Sequence, residues 1–189
     1  MSDKVNMNTR PNKSYSLLPY DAEWAVKYEL MSKRLKLLFA DNFVWIEHGG
    51  STSVPGMLAK PQIDIYVAVK DLVLVKQMYD IMEKEGFKCW GDYIQKDEPE
   101  EYFTKDKDGN REFSVHVMQY GNANLDDTII FRDYLRANEK ARESYIKLKL
   151  KLMEKFSDQD YNSYGKGKID FLEDLKAKAR LWDKAGRPS

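Results

Sequence analysis

The sequence contains little cysteine, little histidine and no excess of charge of either sign. Its 189 residues include one Cys and two His, and 31 Lys and Arg balance 31 Asp and Glu. Cys89 has no second cysteine to pair with and no His nearby in sequence, so we interpret it as a small buried hydrophobic residue rather than a nucleophile. A net charge of zero excludes binding to nucleic acid through bulk positive charge, so nucleic acid is not an expected partner.

Long hydrophobic runs are also missing. The longest are short stretches such as residues 65–69, far below the roughly 20 residues that span a bilayer. We therefore expect no membrane association. Residues 1–14 are polar and lack the apolar segment of a signal peptide, which predicts a flexible tail and a cytoplasmic protein. The balanced charges and 42% hydrophobic content are typical of a globular chain.

Hydrophobic periodicity predicts a mixed α/β core over residues 15–122. Apolar spacings of three and four from Trp24 to Leu38 indicate an amphipathic helix ending near Ala40, and a first strand follows over residues 43–48. Strict alternation over residues 63–69 predicts a second strand, with Asp64 on its less apolar face.

The rest of the core is predicted from weaker signals. We expect a helix over residues 73–85, strands over 87–94, 102–105 and 112–119, and a hairpin turn at 106–110. Residues 123–189 have helical periodicity throughout and predict a helical cap packed on the core. The fold class is thus α/β, or α+β, with a C-terminal helical cap.

The most informative segment is rich in glycine and serine and links the first two strands. We call residues 49–56 (Gly-Gly-Ser-Thr-Ser-Val-Pro-Gly) the Gly-Ser loop. Small residues after a strand let backbone N–H groups point into one concavity, and the hydroxyl groups add donors, which favours a phosphate-sized anion site. The alternative is a loop whose glycines serve only tight turns, and the loop alone does not decide between them.

The segment is similar to a pattern of the GrpB family of nucleotidyltransferase-fold proteins. That pattern, His-x-Gly-Ser-Thr-x-Val-Pro-Gly followed by Lys-Pro and Asp-Ile, corresponds to residues 48–56, 60–61 and 64–65. Further similarity lies at Pro19-Tyr20, Trp24, residues 115–117, residues 131–136, Tyr145, Leu148, Lys149, Tyr164, Lys168 and Phe171. So long a series of ordered matches makes the resemblance specific.

The resemblance implies a nucleotidyltransferase-like mixed sheet and a nucleotide or phosphorylated small molecule as ligand. Asp64, His48 and His116 would be the catalytic residues. The implied nucleotide and phosphate ligands are Gly50, Ser51, Thr52, Lys60, Tyr66, Arg132, Arg136, Lys149 and Lys168. Active members of the superfamily hold two Mg²⁺ ions with paired acids and a third acid from a later strand.

The sequence departs from that catalytic pattern. Tyr66 stands where a second acid would follow Asp64, and the later strand supplies His116 with Ser114 two residues before it. One carboxylate cannot easily hold two Mg²⁺ ions. A single Mg²⁺, Mn²⁺ or Zn²⁺ held by Asp64 with His116 or His48 is the metal site that remains compatible with these residues.

Two functions are therefore open. One is metal-dependent nucleotidyl transfer to an unknown acceptor, and the other is a catalytically degenerate protein that binds a nucleotide or phosphate ligand for regulation. Tyr66, on the face of Asp64, would stack on a base or supply a phenol. His48 and His116 are equally compatible with structural roles. Asp64 favours a site, because a carboxylate in an apolar strand requires a partner.

Overall fold

A computed structural model describes residues 16–92, 99–156 and 160–188, and the predicted tail over residues 1–14 lies outside them. Five strands form one mixed sheet in the order β1-β2-β5-β4-β3. Their bounds are β1 Phe43–Gly49, β2 Ile63–Val69, β3 Lys88–Gly91, β4 Glu100–Lys107 and β5 Asn110–Gln119. Strand β2 runs parallel to β5, and the other neighbouring pairs are antiparallel. The predicted mixed α/β class is confirmed.

Seven helices accompany the sheet in the described residues. They are α1 Glu23–Phe39, α2 Leu72–Lys76, α3 Tyr79–Lys84, α4 Ala123–Ala137, α5 Glu139–Lys155, α6 Tyr161–Lys166 and α7 Ile169–Lys184. Asn122 and Asn138 cap α4 and α5 by accepting hydrogen bonds from backbone N–H groups at the helix start. None of the helices in the described part of the chain is long and apolar enough to cross a membrane.

The two faces of the sheet have different surroundings. On the α1 face, the alternate residues Ile63, Ile65, Val67 and Val69 of β2 pack with α1 in the main hydrophobic core. The opposite face carries Asp64 and Tyr66, and α4 covers part of it through a small cluster with Leu125. We call this second side the cap face. Because side chains alternate along a strand, the polar residues of β2 all point toward the cap helices.

The helical cap has its own core, and this core includes the Gly-Ser loop. Val54 of the loop and Met57, the residue that follows the loop, are fully buried among residues of α4, α5 and α7, including Tyr134, Tyr145 and Leu175. Burial of apolar side chains against three helices fixes the loop in place. The division of the chain into a core ending at residue 122 and a separate cap stays a prediction.

Several predicted element bounds were wrong. The helix predicted over residues 73–85 is two short helices, α2 and α3, separated at Gln77 and Met78. Strand β4 begins at Glu100 rather than at Tyr102, while β3 is confirmed only over Lys88–Gly91, since residues 93–98 lie outside the described part. Cys89 is half-buried, and burial raises the pKa of its thiol to about 11.

Candidate functional site

The Gly-Ser loop fits closely over the two polar residues of β2. A β-carbon on Gly49 would lie 2.3 Å from the Tyr66 ring, and one on Gly50 would lie 2.1 Å from Oδ2 of Asp64. Gly50 also has a φ of +63°, a conformation that residues with a side chain rarely adopt. Both glycines are therefore required for the loop to approach Asp64 and Tyr66.

One buried lysine contacts Ser51 of this loop, and two further lysines lie near that lysine. Nζ of the buried Lys149 donates hydrogen bonds to Oγ of Ser51, at 2.7 Å, and to the carbonyl of Leu58, at 2.6 Å. Burial and the repulsion of Lys168 and Lys60 lower the pKa of Lys149 to about 7, while Asp64 opposes the shift. Lys149 of α5, Lys168 just before α7 and Lys60 between the loop and β2 are thus close enough to repel one another.

Asp64 is held by a hydrogen-bonded chain across the cap face. Nε2 of Gln62 donates to Oδ1 of Asp64, at 3.1 Å, and to Oγ of Ser114, at 3.0 Å. Ser114 in turn shares a 3.0 Å hydrogen bond with the hydroxyl of Tyr102. This network orients the Asp64 carboxylate. The Ser114 hydroxyl links Gln62 to Tyr102 within it.

His116 lies in a stack of aromatic rings on the same face. Its imidazole is 4.7 Å from the ring of Tyr66, at 9° between planes, and 4.8 Å from the ring of Tyr102. The three residues are register partners on β2, β5 and β4. Burial raises the pKa of Tyr66 far above its ordinary range, and Asp64 and Glu100 add to the shift. Tyr66 is therefore a neutral hydroxyl that packs against His116.

His48 lies on the other side of the sheet, away from Asp64. It pairs with Ile65 in the register and stacks on Tyr28 of α1, with 4.8 Å between ring centroids. Its Nε2 is 3.1 Å from Oγ1 of Thr52, whose hydroxyl donates to the carbonyl of Gln62. The structure thus does not bring His48 or the Thr52 hydroxyl to the predicted site, because strand alternation directs His48 to the α1 face.

The two predicted arginines of α4 already have partners in the protein. Arg132 contacts Glu47, Asp133 and the carbonyl of His48, and Arg136 donates two hydrogen bonds to the carbonyl of Ser53. These contacts fasten α4 to the loop. Phosphate binding by Arg132 and Arg136 stays a prediction.

A cleft of about 450 Å³ opens between the cap face and the cap helices. Gly50 and Ser51 line it together with Tyr66 and His116. The helices contribute an apolar wall and a charged rim, formed by Phe131, Leu135, Tyr145, Leu172, Asp127, Glu173, Lys176 and Arg180. A volume of this size, with both apolar and polar groups in its lining, is compatible with a small-molecule site.

The cap face does not fit the two-metal arrangement. Asp64 is the carboxylate at the loop, its neighbour on the same face is Tyr66, and Oδ1 already accepts from Gln62. In residues 16–92, 99–156 and 160–188, no three His, Cys, Asp or Glu side chains are grouped to hold a metal ion. Two Mg²⁺ ions require more oxygen ligands than one carboxylate supplies. Metal binding by Asp64 and His116 stays a prediction.

Sequence reasoning missed Glu100. Its side chain is 1% exposed, and Oε2 lies 3.5 Å from Nδ1 of His116. The charged run around Pro99 suggests a loop, which hides the start of β4. The alternation of Glu100, Tyr102 and Thr104 was the signal that could have placed Glu100 beside His116.

The chain is similar to several known proteins. A family model described as GrpB protein matches residues 14–178. The UPF0157 protein BH1888 of Halalkalibacterium halodurans is 31% identical over 89% of this chain and 84% of its own length. YqkA of Bacillus subtilis is 33% identical over 92% of this chain, which spans 50% of YqkA. A dephospho-CoA kinase of Mycobacterium tuberculosis is 26% identical, and the chain spans 46% of it.

Solved structures agree with this fold. The conserved protein GrpB from Enterococcus faecalis superposes with a TM-score of 0.80 at 28% identity, over 88% of this chain and 99% of that chain. The Cid1 poly(U) polymerase superposes with a TM-score of 0.53 at 17% identity, over 80% of this chain and 49% of that chain. The second likeness shows the fold, which is nucleotidyltransferase-like.

Proposed function

The chain belongs to the GrpB family, and we propose that it binds a nucleotide through its phosphates and transfers the nucleotidyl group to an acceptor hydroxyl. The observation that carries the proposal is the hydrogen bond of the buried Lys149 to Ser51, together with the positive charges of Lys168 and Lys60 near Lys149. Like charges repel, and a buried cation is disfavoured, so this arrangement is stabilised when an anion binds.

The loop supplies the complementary donors. Ser51 lines the cleft, and Lys149 is fixed against it. Phosphate oxygens near Ser51 would accept hydrogen bonds from the loop. They would also be attracted by the positive charges of the three lysines. Among the fold relatives, Cid1 has been solved with Mg and 3'-dATP and with the UTP analogue UMPNPP. These complexes support a nucleoside triphosphate as the ligand class.

Asp64 provides one carboxylate for the cation that accompanies a nucleoside triphosphate. It lies against Gly50, and it opposes the lowering of the Lys149 pKa. The described residues do not fit two metal ions held by the protein. In this function the nucleotide therefore brings its own metal ion into the site. The base and sugar would contact the apolar wall of the cleft formed by Phe131 and Leu172.

The test compares UTP and ATP binding by calorimetry, with Mg²⁺ and with EDTA, in wild type and Asp64→Asn. We expect the substitution to weaken binding of the Mg²⁺ complex about tenfold or more, in line with loss of a charged contact. In EDTA, Asp64→Asn should bind the nucleotide as tightly as wild type or more tightly, because the substitution removes a negative charge from the site. Asp126→Asn, on the exposed surface of α4, is the control. Wild type that binds neither nucleotide would refute the proposal.

A second candidate is nucleotide binding without transfer, and Tyr66 favours it. The residue stands at the position of a second acid and is packed on His116. Incubation with nucleotides labelled at the α-phosphate and a cell extract distinguishes the two functions. Label on an acceptor with wild type but not with Asp64→Asn supports transfer. Tight nucleotide binding with no labelled product supports the second candidate.

A further inference from the structure

Glu100 is a buried acid without a hydrogen-bond donor in the described residues. Its side chain is 1% exposed, and neither Oε atom has a hydrogen-bond partner there. A buried carboxylate is strongly disfavoured unless a donor or cation compensates its charge. Nδ1 of His116, 3.5 Å from Oε2, is positioned to provide that compensation.

The sheet holds the imidazole in this orientation. Glu100 and Tyr102 lie on the same face of β4, opposite Met118 and His116 of β5. The rings of Tyr66 and Tyr102 contact the imidazole and restrict its rotation. Nδ1 therefore stays on the side of Glu100. Catalytic hydrogen bonds are often long before substrate binds, so 3.5 Å is compatible with this contact.

In the imidazole of His116, Nε2 is the ring nitrogen farther from the backbone. His116 is one of the residues that line the cleft with Gly50 and Ser51, and no partner of Nε2 is found in the described part of the chain. A proton on Nδ1 leaves a lone pair on Nε2, since a neutral imidazole carries one N–H. The Nδ1–H tautomer therefore leaves Nε2 as the proton acceptor of a ring that lines the cleft.

We propose that Glu100 holds His116 in the Nδ1–H tautomer, so that Nε2 accepts the proton of an acceptor hydroxyl bound in the cleft. His116 is then the catalytic base, and Glu100 is a positioning residue. The identity of the reaction rests on the proposed function, whereas the tautomer does not. An acid that orients a histidine and stabilises its protonated form is a known physical arrangement in enzymes.

The transfer step balances with these groups. The acceptor oxygen forms a bond to the α-phosphorus of the nucleotide, and the bond from that phosphorus to the pyrophosphate oxygen breaks. The hydroxyl proton moves to Nε2 of His116. The imidazolium then donates through Nδ1–H to Glu100, whose negative charge stabilises the positive ring.

His48 provides an internal reference with the opposite tautomer. The hydroxyl of Thr52 donates to the carbonyl of Gln62, so it accepts from Nε2 of His48. This hydrogen bond requires the proton of His48 on Nε2. With only two histidines in the chain, the two ring systems can be assigned by one substitution, His48→Gln.

The experiment is long-range ¹H–¹⁵N correlation NMR of the imidazole nitrogens at pH 8, with no ligand. We expect His116 as the Nδ1–H tautomer and His48 as the Nε2–H tautomer. Glu100→Gln should shift the His116 population toward Nε2–H. Glu101→Gln is the matched control, because Glu101 is equally buried but contacts Tyr79 and Lys76 on the other face.

The NMR results test the tautomer of His116 independently of the proposed function. His116 in the Nε2–H form in wild type, or doubly protonated at pH 8, would overturn the assignment without any variant. A tautomer that does not change in Glu100→Gln would also overturn it. Calorimetry with UTP and Mg²⁺ tests the proposed function separately. If wild type binds UTP, Glu100→Gln should bind it within twofold and lose label transfer at least 100-fold, whereas retained transfer would refute the role of Glu100.

Discussion

Oδ2 of Asp64 occupies the space that a β-carbon at position 50 would fill, 2.1 Å from its ideal position. The glycine of the loop and the carboxylate of β2 are therefore one structural unit. The backbone of Gly50 approaches Asp64 because no side chain stands between them.

Replacing Gly50 with alanine should damage both stability and the site. The positive φ disfavours any side chain by about 1–2 kcal/mol, and the clash with Asp64 should add at least about 1 kcal/mol. Gly121→Ala is the control, because Gly121 has a φ of +87° and open space around it. Urea denaturation checks the stabilities and calorimetry checks UTP binding. An equal loss in the free energy of unfolding in Gly50→Ala and Gly121→Ala would show that the contact with Asp64 adds no cost.

His48 should make the protein sensitive to acid. Burial, with repulsion from Arg136 and Arg132, lowers its pKa to about 4 from an ordinary value of 6.5. The unfolded chain therefore binds a proton that the folded chain rejects between these values. The associated stability is complete above pH 6.5 and is lost as the pH falls toward 4, up to about 3 kcal/mol.

The comparison for this prediction is His48→Gln, studied by urea denaturation from pH 7 to pH 4. The variant should start less stable and lose less free energy of unfolding over that range than wild type. An equal loss in both proteins would show that other groups cause the acid sensitivity.

Lys149 should couple nucleotide binding to proton uptake. With a pKa lowered to about 7, it is half protonated near neutral pH, and a bound anion raises its pKa. Each bound UTP should therefore take up about half a proton at pH 7. Affinity should fall as the pH rises above 7, because the ammonium that attracts phosphate is lost.

Calorimetry in buffers of different ionisation enthalpy measures this uptake. Lys149→Met should abolish the proton uptake and weaken binding tenfold or more, an effect typical of a lost charge-assisted contact. Lys151→Met changes an exposed lysine of the same helix. It should leave both the proton uptake and the affinity for UTP unchanged. Proton uptake that persists in Lys149→Met would assign it to another group.

The ring of Tyr66, rather than its hydroxyl, should be what the site requires. Tyr66→Phe removes a hydrogen bond with Thr128 and should reduce stability by about 1 kcal/mol. Tyr66→Ala removes the packing on Gly49 and His116 and should reduce stability by about 3–5 kcal/mol. UTP affinity should survive in Tyr66→Phe and fall in Tyr66→Ala. Loss of affinity in both variants would instead assign the hydroxyl to ligand binding.

Much of the fold followed from local pattern. The alternation along β2 predicted both the strand and the face of Asp64, and three- and four-residue spacings predicted the cap helices. The predicted helix over residues 73–85 failed because apolar periodicity does not show a break at Gln77 and Met78. The start of β4 was missed because charged residues near Pro99 mask the alternation that begins at Glu100.

The sequence by itself determined the Gly-Ser loop, the carboxylate Asp64 and Tyr66 beside it, since these depend on adjacent residues and strand period. Only the tertiary structure decided the rest. It placed His48 on the α1 face and His116 on the cap face, brought Lys60 and Lys168 near Lys149, and set Glu100 against His116. These relationships join residues far apart in the chain, and strand order and helix packing, which no local pattern encodes, create them.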